Sequence, residues 1–387
     1  MSDYNSILSQ LEESGNLRRL RNTRSEGKYI YHDGRKYLNL SSNDYLGVAC
    51  NASLQKNFLA TLADETEFLF GSTSSRLLTG NAPSYTSLEQ HLTAMFGREA
   101  ALVFNSGYHA NIGILSALTS KHDLILADKY VHASIIDGLR LCDARWERYR
   151  HNDLEHLEKL ILKNRDQYKR IFIVTESVFS MDGDVADLVA LCDLKEKYGA
   201  TLYVDEAHAI GAMGTVGLGL CEVTQTTHRI DLIVGTFGKA IASQGAYVVA
   251  SREVVDYLIN TQRSLIFTTA QPSINVRWTD YVMRHIASMK EDRVMLAKLS
   301  SMLRGELERD GLETRGCSHI VPVVVGENHA AISLAERLQE NGFWALPIRY
   351  PTVPKGEARI RISLNPQITE VEVHQIVKIA AQWKQNG

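Results

Sequence analysis

From residue 86 onward, short strand-length runs alternate with stretches whose apolar positions recur three and four apart. The runs at 101–104, 124–128, 171–174, 201–205, 231–236 and 245–250 are largely apolar, and 145–149 reads as a further strand. The segment 171–174, Ile-Phe-Ile-Val, has the composition of a strand buried on both faces. Strand patterns separated by helical ones, such as that at 153–163, predict an α/β architecture: a mostly parallel sheet covered by helices. Before this region, Ile7, Leu8 and Leu11 share one face of a helix over residues 3–14. The runs 29–31 and 37–40, separated by Asp33-Gly34, predict a β-hairpin. Beyond Pro272 come long helical patterns to about residue 310, a strand at 320–324, an amphipathic helix at 328–341 and short strands. The pattern divides the chain into an N-terminal arm and hairpin (1–45), a large sheet domain (46–271) and a smaller α+β domain (272–387).

Composition narrows the class. With 387 residues, 44% hydrophobic and 22% charged, the chain is long enough for a large domain and a smaller one. A formal net charge of −3 offers no bulk attraction to nucleic acid or an anionic membrane. The five cysteines, Cys50, Cys142, Cys192, Cys221 and Cys317, are scattered and form no metal-ligand spacing, which predicts a reducing compartment and no metal centre. The first residues lack a basic stretch followed by an apolar core, and no apolar run has transmembrane length. These features lead us to expect a cytoplasmic protein that binds neither membrane nor nucleic acid.

Candidate chemistry lies at the ends of two strands. The run at 231–241 ends in a turn of small residues that holds Lys239. A lysine there, once desolvated, can lose its proton and attack a carbonyl, although most lysines are solvated surface charges. The run at 201–208 ends in Asp205, followed by His208. On the carboxyl edge of a parallel sheet, where ligands bind, an acid and a lysine are the two groups a pyridoxal phosphate site needs. The amine takes the aldehyde, and the acid pairs with the pyridinium nitrogen. The turn at 105–111 enters a helix through Ser106, Gly107 and Tyr108, where free N–H groups favour a phosphate. The polar loop at 71–80 is a weaker anion candidate. Gly211, Gly214, Gly217 and Gly219 do not form a dinucleotide fingerprint, and no nucleotide-triphosphate loop occurs.

The segments 175–184 (Thr-Glu-Ser-Val-Phe-Ser-Met-Asp-Gly-Asp), 204–208 (Val-Asp-Glu-Ala-His) and 236–239 (Thr-Phe-Gly-Lys) resemble those of the α-oxoamine synthases. Residues 41–47 match another signature of that family, and the motifs recur in its order along nearly the whole chain. The resemblance implies a fold-type I pyridoxal 5'-phosphate enzyme with a seven-stranded type of sheet. It would condense an amino acid with an acyl thioester of CoA or acyl carrier protein. It also assigns roles. Lys239 would hold the cofactor and shuttle the α-proton, and Asp205 would pair with the pyridine nitrogen. His132, in a Val-His-Ala-Ser segment, would stack on the ring, and His208 would approach the phenolic oxygen. Ser106, Gly107, Tyr108 and Thr236 would complete the cofactor site. Ser180, with Ser177 and Asp182, would stand at its edge.

Arg361, in the alternating strand 359–364, would clamp the amino acid's carboxylate. Thr352 of the Pro-Thr-Val-Pro loop and Arg18 would contact the acyl group, with Arg19 and Arg21 as alternatives to Arg18. Thr269 would reach the phosphate of a second subunit, which makes a homodimer with a composite site. Two departures from the family pattern stand out: Thr73 and Ser74 replace frequent glycines, and Ser273 replaces a frequent proline. The acyl-contacting segments match best the members that join L-alanine to a pimeloyl thioester in biotin synthesis. The 2-amino-3-ketobutyrate ligases, aminolevulinate synthases, serine palmitoyltransferases, autoinducer synthases and a non-catalytic subunit of the same fold stay open as alternatives.

Overall fold

The computed structural model describes residues 3–62 and 70–386, which form two compact units. The sheet unit comprises Ala52–Phe179 and Val185–Lys290. Its strands are β1 (Ala100–Phe104), β2 (Asp123–Asp128), β3 (Arg145–Tyr149), β4 (Arg170–Glu176), β5 (Thr201–Asp205), β6 (Leu232–Thr236) and β7 (Ala246–Ala250). They lie in the order β1-β7-β6-β5-β4-β2-β3. In this sheet β7 runs antiparallel to both of its neighbours, and the other strands share one direction. Strands β1, β2, β6 and β7 are buried at every position, which is why their interiors read as apolar runs, with Asp123 and Asp128 as buried acids at the two ends of β2.

Four helices of this unit matter below: α1 (Pro83–Phe96), α2 (Gly107–Leu118), α3 (Ala133–Arg140) and α4 (Ser273–Ile286). Ile114 and Leu115 of α2 and Ile135 and Leu139 of α3 join Leu102, Ile125, Val174 and Val234 of the strands in one core. Helices α2 and α3 cross closely at Gly138, where a β-carbon would stand 3.0 Å from Ile112 Cα and still nearer the Asn111 carbonyl oxygen. Helix α4 follows Pro272, yet it packs on α1 within the sheet unit, so this unit runs on to Lys290.

The second unit joins the described residues up to Asn51 with Ser180–Asp184 and the described residues from Glu291 onward. The hairpin of Tyr29–His32 and Arg35–Asn39 turns through Asp33 and Gly34, both with positive φ, as a two-residue hairpin turn requires. Phe343–Trp344 adds to it as a parallel strand, and this pairing explains why the N-terminal arm belongs with the C-terminal residues. A separate antiparallel sheet holds Glu313–Thr314, Ile320–Gly326, Ala358–Ser363 and Pro347–Ile348, with the helix Asn328–Glu340 packed on it. Among the described residues no helix is long and apolar enough to cross a membrane.

Candidate active site

The parallel strands deliver their chemistry to one edge. Ser106 and Gly107 follow β1, His132 follows β2, Glu176 and Asp205 end β4 and β5, and Lys239 lies just beyond β6. Glu176 and Asp205 are paired in register across neighbouring strands. Each oxygen of Asp205 accepts an N–H: one from Asn111 Nδ2 and one from the Ala207 backbone, both at 2.9 Å. The adjacent Glu206 serves the scaffold, accepting the backbone N–H groups of Leu220 and Cys221 at 3.0 and 2.7 Å. His208 is buried in the turn after β5.

Lys239 and Asp205 act in opposite senses on the same two groups, His132 and Glu176. His132 is exposed to solvent over part of its surface. The protein around the rest lowers its pKa from the ordinary 6.5, with Asp205 opposing and Lys239 reinforcing the shift. Burial raises the Glu176 carboxyl well above 4.5, and Asp205 adds to the effect. One Glu176 oxygen has no hydrogen-bond partner, while the carboxyl accepts the His132 backbone N–H.

At the start of α2, Ser106 caps the helix by accepting the His109 N–H at 3.2 Å. A β-carbon on Gly107 would meet only Thr236, at 3.6 Å, so the turn is open to a close anion. Thr236 Oγ1 donates to the Gly245 carbonyl at 3.0 Å and accepts the Gly238 N–H at 3.3 Å, which ties the Lys239 turn to this cradle. Tyr108 donates from its hydroxyl to Asp137 at 3.0 Å. Thr269 is exposed, and its carbonyl accepts Asn105 Nδ2 at 2.6 Å. Ser106, Gly107, Thr236, Asp205, His132 and Lys239 thus occupy one edge of one unit.

The second unit holds the other candidates. Arg361 donates to the Ser180 carbonyl at 2.6 Å, Asn43 Oδ1 at 3.0 Å and the Tyr45 hydroxyl at 2.8 Å. All three acceptors are neutral, so the guanidinium is oriented without being neutralised. Arg359, two residues away, is fully buried and paired with Asp182 and Glu357. Asp182 is therefore committed to Arg359, and in the sheet unit Ser177 donates to Glu206, so neither offers a free group. The alternatives at the N-terminal arm also separate. Arg19 pairs with Glu12, Arg21 lies 5.3 Å over the Trp344 ring, and Arg18 donates to Thr352 Oγ1 at 3.0 Å.

Asn111, Ser134, Glu176 and Arg349 were not singled out by sequence reasoning. The charges of Arg18 and Arg21 add to burial in lowering the pKa of Arg349, so three cations share one region. An asparagine among Ala110, Ile112 and Ile114 was the available signal for Asn111, since a buried polar side chain on an apolar face needs a partner.

Known proteins identify the family. The model of the family "Aminotransferase class I and II" matches residues 35–379. The 8-amino-7-oxononanoate synthase of Haemophilus ducreyi is 51% identical over 386 residues, covering 97% of this chain and 99% of that protein. The enzyme of the same name from Chlorobaculum parvum is 51% identical, covering 92% and 91%. A serine palmitoyltransferase variant from S. paucimobilis, solved with bound PLP-myriocin aldimine, superposes with a TM-score of 0.91 at 27% identity, covering 100% and 97%. The chain belongs to the aminotransferase class I and II family and, within it, to the α-oxoamine synthases of fold-type I.

Proposed function

We propose that this chain is a pyridoxal 5'-phosphate-dependent acyltransferase that joins L-alanine to a pimeloyl thioester. The products are 8-amino-7-oxononanoate, CO2 and the free thiol, a step of biotin biosynthesis. The observation that carries the reading is the sheet edge on which Lys239, the doubly hydrogen-bonded Asp205 and the Gly107 turn lie together. The names of relatives about half identical over nearly their whole length select alanine and pimeloyl among the substrates of the family. The serine palmitoyltransferase likeness, at 27% identity, supports the fold more than that substrate.

The residues fit the cofactor by charge and space. Asp205 presents an acceptor to a pyridinium nitrogen, the Gly107 turn presents N–H groups to a phosphate, and the exposed His132 at the same sheet edge offers an imidazole on which a ring could stack. Lys239 would take the aldehyde carbon and His208 the phenolic oxygen, with Ser180 at the edge, while Ser106, Tyr108 and Thr236 complete the phosphate end. When bound, the cofactor supplies an electron sink for the carbanion at the amino acid's α-carbon. The Lys239 Nζ takes and returns the α-proton, which requires a neutral amine. Arg361, oriented by neutral acceptors, binds the carboxylate with its planar fork. Arg18 and Thr352 contact the acyl group.

The same reading makes the active unit a cytoplasmic homodimer in which Thr269 serves the partner's phosphate. Leu77, Leu78 and Phe267 stand exposed on two segments joined by the Ala270 N–H to Ser74 carbonyl bond at 2.9 Å. Apolar residues clustered in this way are what a subunit interface would cover. The free cysteines are compatible with a reducing compartment. A steady-state panel decides the substrate: alanine, glycine, serine and threonine, each against pimeloyl, acetyl, succinyl and palmitoyl thioesters of CoA and acyl carrier protein. The expected result is highest kcat/KM for alanine with a pimeloyl donor. Preference for glycine or serine with another acyl chain would overturn the assignment.

A further inference from the structure

A chain of buried polar groups links Asp205 to His132. Asn111, on α2, accepts from the Tyr203 hydroxyl through Oδ1. Its Nδ2 donates at 2.9 Å to Asp205 Oδ2 and at 2.9 Å to Ser134 Oγ, which uses both amide hydrogens. The opposite amide orientation would aim Oδ1 at a carboxylate oxygen, so the network fixes the assignment. Ser134 Oγ lies 2.7 Å from His132 Nδ1, and the Ser134 backbone N–H donates to the same nitrogen at 3.2 Å. Asn111, Ser134 and Tyr203 are 2%, 1% and 0% exposed, so no solvent competes for the bonds that Asn111 makes.

The directions of the bonds follow from this arrangement. The Ser134 backbone N–H can only donate, so Nδ1 is an acceptor, and the Ser134 hydroxyl, whose oxygen takes a hydrogen from Asn111, turns its own hydrogen to the same nitrogen. That nitrogen then accepts from two donors and has no room for a proton. The ring carries its hydrogen on Nε2 and is neutral. We propose that Asn111 and Ser134 are positioning residues that hold His132 as the neutral Nε2–H tautomer and couple that state to the orientation of Asp205.

The consequence, which rests on the pyridoxal phosphate reading, is electrostatic. A neutral imidazole can lie over a protonated pyridinium without like-charge repulsion, and Asp205 keeps its free lone pairs for the pyridinium nitrogen. The charged and titratable groups facing His132 are Asp205 and Glu176 from the neighbouring strand ends, Lys239 from the turn after β6, and Asp137 from α3. Their signs are mixed, so the Ser134 donors and the surrounding protein decide the ring's state.

The test uses the holoenzyme labelled with 15N in its histidine rings, with the His132 signals identified by their loss in His132→Gln. In the wild-type enzyme Nδ1 should be unprotonated and Nε2 protonated, with no titration near imidazole's ordinary pKa. Ser134→Ala removes one donor to Nδ1, and the ring should begin to titrate at higher pH. The kcat profile should gain an acidic limb, because each pH unit below the titration point cuts the neutral fraction about tenfold. Ser134→Thr, which keeps the hydroxyl, should restore both the tautomer and the profile. A protonated Nδ1 in the wild-type enzyme would overturn the proposal even if the alanine variant failed to fold. So would a folded Ser134→Ala with unchanged ring shifts and titration. Absence of pimeloyl transfer with the expected ring state would instead count against the proposed function alone.

Discussion

Two arginines that alternate on one strand make opposite use of the same side chain. Arg359 is fully buried and neutralised by Asp182 and Glu357, whereas Arg361 is held by three neutral acceptors. Removing one partner of a buried ion pair costs about 3–5 kcal/mol when the other charge is left stranded, but Arg315, 2.8 Å from Glu357 and 3.7 Å from Asp182, still faces both acids. Arg359→Met should therefore lower the urea midpoint by less than that full cost and leave the KM for alanine in the surviving folded fraction nearly unchanged. Arg361→Lys should do the reverse, with a modest change in stability and a KM for alanine raised about tenfold or more, because an ammonium cannot reproduce the bidentate fork. Urea melts beside steady-state kinetics read both effects, and equal loss of stability in the two variants would contradict the division of labour. The alternation of residues 359–364 placed both arginines on one face, but strand period alone could not say which one meets an acid. That distinction depends on Asp182, 177 positions from Arg359 in sequence. Lys239 and Asp205 were legible for the opposite reason. Asp205 ends an apolar strand and Lys239 sits in the turn just after one, and the carboxyl edge of a parallel sheet is where such residues meet.

At the scale of elements, the strands were readable because burial on both faces removes polar residues from them. The contact between helices α2 and α3 was not, since a glycine in a helical pattern is usually silent. Gly138 allows α3 to approach the Asn111 carbonyl, and this closeness also brings Ser134 Oγ within 2.9 Å of Asn111 Nδ2. The absent β-carbon and the buried relay are thus one feature of packing. Gly138→Ala should push α3 outward, because the obstacles are backbone atoms that cannot rotate away. Overpacking of this kind costs about 1–3 kcal/mol, partly offset by alanine's better helix propensity of about 1 kcal/mol. The more specific expectation is a loss of the Ser134 to Asn111 bond, seen as a shift of the His132 ring signals in the same direction as in Ser134→Ala. Gly305, in the helix Lys290–Arg309, serves as the control, because a β-carbon there would meet nothing within 4 Å. Gly305→Ala should be neutral or stabilising by a thermal melt and silent at His132.

At the scale of the whole molecule, the remaining question is how many chains build one site. Thr269 is exposed and lies beside the exposed Phe267, while the segment that carries Leu77 and Leu78 is joined to it through Ser74 and Ala270. A two-fold dimer that covers these apolar side chains would carry each Thr269 to the partner's phosphate, as proposed above. Such a site can be tested by complementation, because its parts come from different chains. Lys239→Ala and a Thr269 variant chosen for full inactivity would be mixed under conditions that exchange subunits. In a heterodimer one site would carry both defects and the other neither. By that counting, up to about half of the activity of a wild-type dimer should return per heterodimer. Two tags of different charge would separate the heterodimer and confirm exchange. If each site were built within one chain, every site in the mixture would still carry one defect, and activity would stay at the level of the parents. Recovery in the purified heterodimer therefore distinguishes a shared site from two independent ones, and an inactive heterodimer would reject the crossed position of Thr269.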